Sequence, residues 1–203
     1  TNFFPQVSLE LSKPFYKKDQ DFITIISPKI LGIKSNKKSF FREIPDESSI
    51  NNFDFDYIDL FNINRLSGND RFDSSMRIDY GLTFLKKKIS KEEDITHIEI
   101  GQSFQLDKNK YLQQNSGIND KFSDIVINFR LTPQENIKLN SYLKINKDNS
   151  SIKTAYSNFL IHQKNSFLSL SNIRSAPVLN TIGENVKEGI NQFSFRYSQE
   201  LAD

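Results

Sequence analysis

Cysteine and tryptophan are missing from the 203 residues, and methionine occurs once, at Met76. Without cysteine there is no disulfide framework and no thiolate metal site. Long apolar runs are missing too. The richest stretch, Phe22–Ile33, is broken by Ser27, Pro28, Lys29 and Gly32, and a membrane helix needs about 18 or more consecutive apolar residues. That excludes a transmembrane helix but leaves a transmembrane barrel open, because a barrel strand needs only about 9–11 alternating residues. The chain opens without an initiator methionine and without a basic or apolar leader, so any targeting segment is expected to have been removed or to lie upstream. An excess of one charge is lacking as well. The balance of 27 basic and 25 acidic residues gives +2, spread along the chain, which offers nucleic acid no footprint. The densest basic run, Lys86–Lys88, is answered by Glu92, Glu93 and Asp94 and reads as a solvated hairpin end rather than an anionic-lipid contact.

What the chain does have is phenylalanine, eighteen times, tyrosine, seven times, and a period of two. From Arg77 onward, Ile78, Tyr80, Leu82 and Phe84 fall on one face and Arg77, Asp79, Gly81 and Thr83 on the other, the signature of a strand with one apolar side. The pattern recurs in 98–106, 125–131, 137–145 and 193–197. The opposite face carries Glu99 and Gln105, then Asn128 and Arg130, then Lys138 and Lys144, then Arg196. Segments 151–162 and 166–174 alternate less cleanly, with Tyr156, Phe159, Ile161, Leu168 and Leu170 as expected apolar anchors. Residues 7–11 and 22–31 read as two more strands, with Pro14 and Pro28 at strand ends or bulges.

Turn residues punctuate 88–94, 131–136 and 146–151, and longer connections span 34–71, 107–121 and 175–188. Short and long connections roughly alternate, as in an up-and-down meander whose ends face different surroundings. The fold class is therefore all-β, an antiparallel meander of about nine strands. Two architectures share this pattern. In a soluble β-sandwich the apolar face is the core, whereas in a large barrel it meets lipid and the polar face lines a wet lumen. Charged polar faces and many strand aromatics favour the barrel. The candidates for lumen-facing positions are then Arg77, Asp79, Glu99, Gln105, Asn128, Arg130, Lys138, Lys144 and Arg196.

Catalytic patterns are absent: there is no GxSxG elbow, Walker loop or GxGxxG, and His97 and His162 stand without metal-ligand spacing. No catalytic residue, metal ligand or cofactor is expected. Asp94 and His97, three apart, are expected on opposite faces of a strand. Asp54, Asp56 and Asp59 with Asn62 and Asn64 offer clustered oxygens, but the spacing departs from a calcium loop. Their alternation with Phe53, Phe55 and Tyr57 reads as a short strand. The most informative stretch is LFNINRLSGNDR, Leu60–Arg71, too rich in charge to be buried without partners.

That stretch carries a resemblance. Residues 42–84 resemble the signature of the LptD family of lipopolysaccharide-assembly proteins, also called OstA or Imp. Ile44, Pro45, Glu47 and Ser48 fit its first block, with DESS where NEDS is usual. Leu60, Phe61, Asn64, Arg65, Gly68, Asp70 and Arg71 fit the second, and Arg77, Tyr80, Gly81 and Leu82 the third. IGQSF at 100–104, SDI at 123–125 and LTPQENIKL at 131–139 follow in the family's order. The resemblance implies a Gram-negative-type outer-membrane barrel of about 26 strands that receives lipopolysaccharide from periplasmic Lpt bridge proteins. Such a barrel releases lipopolysaccharide through its lumen and a lateral gate into the outer leaflet, often around an LptE-like plug lipoprotein. It also implies that residues 1–203 are an interior piece of the barrel domain, with the periplasmic domain and closing strands elsewhere and a long loop at 34–71. Arg65, Asp70 and Arg71 are expected to form an ion-paired cluster fixing that loop, with contact to lipopolysaccharide phosphates as the rival role. A general porin or channel and a soluble β-sandwich binding module remain the alternatives.

Overall fold

The computed structural model describes residues 5–35, 55–65, 73, 76–90, 93–106, 117–118, 120–179 and 185–200. Strands β1 (Gln6–Ser12), β2 (Phe15–Lys18) and β3 (Phe22–Ser35) are followed by a helical turn α1 (Tyr57–Leu60), then β4 (Arg77–Lys88) and β5 (Glu93–Gln105). Next come β6 (Ile125–Gln134), β7 (Ile137–Ile145), β8 (Ile152–Gln163), β9 (Ser166–Ser175), the short β10 (Val178–Leu179) and β11 (Asn185–Lys187), and β12 (Ile190–Gln199). One antiparallel sheet of ten strands runs β1-β3-β4-β5-β6-β7-β8-β9-β12, with β2 also paired to β3.

Nine positions therefore succeed one another, because β1 and β2 are two halves of one strand laid along β3. Pro14 breaks that strand. Pro28 lies inside β3, opposite the break, and its carbonyl accepts from Lys13 N at 3.4 Å. The donor that Pro28 lacks thus falls where the neighbouring strand is itself interrupted, and the ladder to β4 continues past it. Short connections (19–21, 89–92, 135–136, 164–165) gather at one end of the sheet. The longer ones (36–76, 106–124, 146–151, 176–189) gather at the other, and the last of these contains the β10–β11 hairpin.

Because paired residues in a ladder share a face, the register sorts every side chain. One face holds Val7, Leu9 and Leu11, then Ile26 and Ile30, then Ile78, Leu82 and Phe84, continuing through Ile98, Ile100, Ile127, Phe129, Leu139, Phe159 and Leu170 to Phe193 and Phe195. Among the described residues no second sheet covers it: the only other sheet is the two-stranded β10–β11. Val7, Leu82, Ile100, Leu170 and Phe193 are all exposed. A sandwich would bury this face, so the sandwich alternative fails. An uncovered apolar sheet face of this extent is stable in lipid and not in water.

The apolar belt is also oblique. In the register row Ile26, Phe84, Ile98, Phe129, Ser141, Ser157, Asn172, Phe193, the side chains are apolar from β3 to β6 and polar from β7 to β9. In the adjoining row toward the short turns, Thr24, Lys86, Thr96, Leu131, Leu139, Phe159, Leu170, Phe195, the order reverses. A level membrane crossed by tilted strands produces this drift, since barrel strands lean by about 35–45°.

Three local expectations are corrected. Tyr156 pairs with Tyr142 on the polar face, because alternation in β8 runs through Thr154, Tyr156 and Asn158. Asp94 shares a face with His97: a bulge between Lys86 and Lys87 pairs Lys87 with Asp94, so one extra residue restores the side. Residues 57–60 are helical, not a strand. Asp56 caps them, its Oδ1 accepting from Ile58 N at 2.7 Å and Asp59 N at 2.9 Å. Asp56 and Asp59 thus serve a capping box; Asp54 lies outside the described residues.

The face assignment predicts an asymmetry between positions one register row apart on the neighbouring strands β5 and β6. In the full-length protein refolded into vesicles, Ile100→Arg on the apolar face is expected to cost about 2–4 kcal/mol. Asn128→Arg on the polar face should cost under about 1 kcal/mol by the same equilibrium unfolding measurement.

Candidate functional site

The described core does not lie under the apolar face. It sits on the polar one, where the chain folds back onto its own sheet. Phe55, Tyr57, Leu60, Ile118 and Val126 form the buried cluster, with Phe61 and Tyr142 against it. Two glycines make the seat. Gly81 and Gly101 are register partners in β4 and β5, both on the polar face, so a patch of sheet is left without side chains. A Cβ on Gly101 would lie 2.5 Å from Leu60 Cδ2, and one on Gly81 would lie 2.8 Å from Tyr57 Cε2. Tyr57 and Phe61, edge to face at 5.0 Å, fill the space instead. Two hydrogen bonds tie the segment down: Tyr57 Oη to Thr83 Oγ1 at 3.2 Å, and Tyr142 Oη donating to Phe55 O at 2.7 Å. Burial lifts the Tyr57 hydroxyl above the ordinary tyrosine range, opposed by its bond to Thr83. A second loop joins from the other side. Gly117, with φ of 81°, accepts from Asp124 N at 2.6 Å and lets Ile118 enter the cluster.

Beside this seat lies a fully buried ion cluster. Arg65 Nε donates to Asp73 Oδ2 at 2.8 Å, and Arg77 Nη1 donates to the same oxygen at 2.6 Å. Arg77 Nε donates to Asp79 Oδ2 at 2.8 Å. Ser103 Oγ closes the ring, donating to Asp79 Oδ1 at 2.5 Å and accepting from Arg65 Nη1 at 3.3 Å. All four charged side chains are at most 1% exposed, and their formal charges cancel. Cancellation is what makes the burial tolerable, since an unpaired ion in such a place costs several kcal/mol. The cluster also grips backbone. Arg77 Nη2 donates to Asn62 O and, at 3.2 Å, to Ile63 O. Asn64 Oδ1 accepts from Asp73 N at 3.0 Å, and Asp73 O accepts from Ser35 Oγ at 3.0 Å and Gln6 Nε2 at 3.3 Å. Ten residues from Gln6 to Ser103 are thereby locked to one another.

Of the family-motif residues, Leu60 is in the core, Phe61 stands against Gly81, Asn64 orients Asp73, and Arg65 is in the ion cluster. Gly68, Asp70 and Arg71 lie outside the described residues, so the expected Arg65–Asp70–Arg71 grouping does too. The partners the structure gives Arg65 are Asp73 and Ser103, which motif reading missed. The nine candidates for the lumen all share the polar face, but in different settings. Arg77 and Asp79 belong to the ion cluster, Gln105 donates to Ile118 O, and Lys144 lies with its ammonium 5.7 Å from the Phe55 ring centre, all four sealed beneath folded-back chain. Glu99, Asn128, Arg130 and Lys138 instead line an open hollow of about 880 Å³ toward the short turns, together with Lys87, Asp94, His97 and Tyr142. Arg196 stands apart on β12, stacked at 5.5 Å on Phe167. Among the described residues no group of three or more acidic or imidazole side chains is placed to hold a metal ion.

A single antiparallel sheet with one uncovered apolar face, one polar face and its own loops folded onto the latter is a section of the wall of a membrane-spanning β-barrel. The family follows from comparison with known proteins: the family model LptD, LPS transport system D, matches residues 2–203, and the chain belongs to that family. No curated protein matches it. The family transports and assembles lipopolysaccharide at the outer membrane and is not a family of enzymes.

Two substitutions separate the parts of this site in the full-length protein. Asp73→Ala leaves two buried guanidinium groups facing one carboxylate and is expected to cost about 3–5 kcal/mol in unfolding experiments. Gly101→Val removes the seat while leaving every ion in place. It is expected to expose residues 55–65 to proteolysis while the strands stay protected; a segment that stays resistant would contradict the seat.

Proposed function

We propose that residues 1–203 form an interior part of the barrel wall through which lipopolysaccharide is delivered to the outer leaflet. The observation that carries this is the pairing of a hollow, polar inner face with an uncovered apolar outer face across one thickness of sheet. An amphiphile needs both. Its sugar and phosphate head travels past Glu99, Asn128, Arg130 and Lys138, whose mixed charges and amides exchange hydrogen bonds without holding any one group tightly. Its acyl chains leave through a seam elsewhere in the complete barrel, because the described strands from β3 to β9 are paired on both sides. Lipopolysaccharide arrives from the periplasmic Lpt bridge proteins, and an LptE-like plug lipoprotein shares the lumen. The short turns face the periplasm and the long connections the cell exterior, the usual arrangement of such barrels.

In this reading Arg65 braces rather than transports. Its side chain is fully buried, with Nε given to Asp73 and Nη1 to Ser103, so a lipopolysaccharide phosphate would have to displace packed chain to reach it. The segment 55–65 is then a fixed lining that narrows the lumen near the long-loop end and leaves the hollow below it free.

Photo-crosslinking residues placed singly through the full-length protein test this directly. Asn128 and Lys138 are expected to capture lipopolysaccharide during export, while Ile127 and Leu139, their neighbours on the other face, capture bulk membrane lipid. Capture of lipopolysaccharide at neither Asn128 nor Lys138, with export intact, would sink the proposal. Free diffusion of small solutes with no lipopolysaccharide capture would favour a general porin.

A further inference from the structure

The run Lys86–Lys87–Lys88 does not behave as one charged hairpin end. Alternation divides it. Lys87 points to the polar face, where its ammonium lies 3.5 Å from Asp94 and borders the hollow. Lys86 and Lys88 emerge on the apolar face, as register partners of Thr24 and Phe22. They stand immediately beyond Phe84, where the oblique belt ends on β4 at its short-turn side. Lys86 Nζ sits 4.4 Å from the centre of the Phe22 ring, so its stem runs over aromatic surface with the charge at the margin. Lys17, on β2, joins the same row through Thr24 and lies 3.3 Å from the exposed Asp19. Among the described residues Lys86 is in no ion pair and stands between Thr24 and Thr96, while Lys88 has Glu93 as its register partner on β5.

We infer that Lys86 and Lys88, with Lys17 beside them, form a binding rim for the phosphates of anionic phospholipid in the leaflet at the short-turn side. This rests on the barrel reading, which puts the apolar face in lipid. Lys86, its stem over the Phe22 ring and in no ion pair among the described residues, has its charge at the level of the headgroups, and Lys88 adds a second charge one register row further on. The phosphate of a phospholipid is the anion that continues the surface on which Phe22 and Phe84 already lie. A free phosphate would meet the charge but not the aromatic surface. The cation–phosphate contact at such a rim is worth about a fivefold gain in retention per lysine.

The test uses the full-length protein reconstituted with equal amounts of phosphatidylglycerol and phosphatidylcholine, then stripped of loosely held lipid and weighed intact by native mass spectrometry. The parent is expected to keep phosphatidylglycerol in preference to phosphatidylcholine. Lys86→Gln with Lys88→Gln should cut retained phosphatidylglycerol by more than about tenfold, leaving phosphatidylcholine unchanged. Lys87→Gln, on the other face, should leave the pattern of the parent. Inorganic phosphate added during stripping should not displace the lipid. Equal retention of both lipids by the parent, an equal loss in Lys87→Gln, or displacement by inorganic phosphate overturns the rim and leaves the barrel standing. A parent that holds no lipid of either kind overturns the barrel reading and the rim with it.

Discussion

Two arginines and two aspartates, buried together with their charges cancelled, are the constraint on which the described structure turns. Arg65 and Asp73 come from the connection between β3 and β4, while Arg77 and Asp79 come from the first residues of β4. None of the four could be buried alone. Each therefore enforces the presence of the others, and a loop that could have hung in solvent is fixed on the sheet. The location matters as much as the pairing. Because Arg77 and Asp79 occupy alternate positions on a strand whose other face is Ile78, Tyr80 and Leu82, the ions also settle which side of the wall takes the loop.

The glycines explain why the lock needs no rearrangement of the sheet. Gly81 and Gly101 leave the strands bare at the one place where Tyr57 and Leu60 come down, so aromatic and aliphatic packing begins where the ion cluster ends. The family motif then has a physical meaning. Leu60 and Phe61 fill the seat, Asn64 and Arg65 engage Asp73, and Gly81 is the floor. Its second and third blocks are two sides of one contact. Among the described residues the hollow beside the short turns is left open on the polar face, and under the proposed function that unlined part of the wall is the part free for passage.

Much of the sheet was legible because period two is a direct image of a pleated strand. Residues 77–85, 98–106 and 125–131 show it plainly, and nine strand positions are what the alternation implied. Where legibility failed, a local device interrupted the period. The bulge at Lys86/Lys87 moved Asp94 to the side of His97. Asp56 and Asp59 make a capping box with aspartate in both places, which conceals a helical turn among residues that otherwise alternate. Asp73, the centre of the ion cluster, gave no signal: it lies in an Asp- and Ser-rich stretch and gains its role only when β4 brings Arg77 under Arg65. Ser103 was hidden likewise, since a serine on a polar strand face is unremarkable until its neighbour across the ladder is a buried Asp79. The apolar face was readable as apolar, but only the structure showed that no other described residues cover it and that its belt drifts across the strands.

One face of this sheet meets lipid while the other holds residues 55–65 locked against it. Nitroxide labels placed singly at Ile127, Asn128, Phe129, Arg130 and Leu60 of the full-length protein in vesicles, read for collision with lipid-soluble oxygen and with a water-soluble nickel chelate, test it most directly. Oxygen is expected to dominate at Ile127 and Phe129 and nickel at Asn128 and Arg130, with Leu60 shielded from both. Equal access along β6, or a Leu60 label freely reached by nickel, would contradict it.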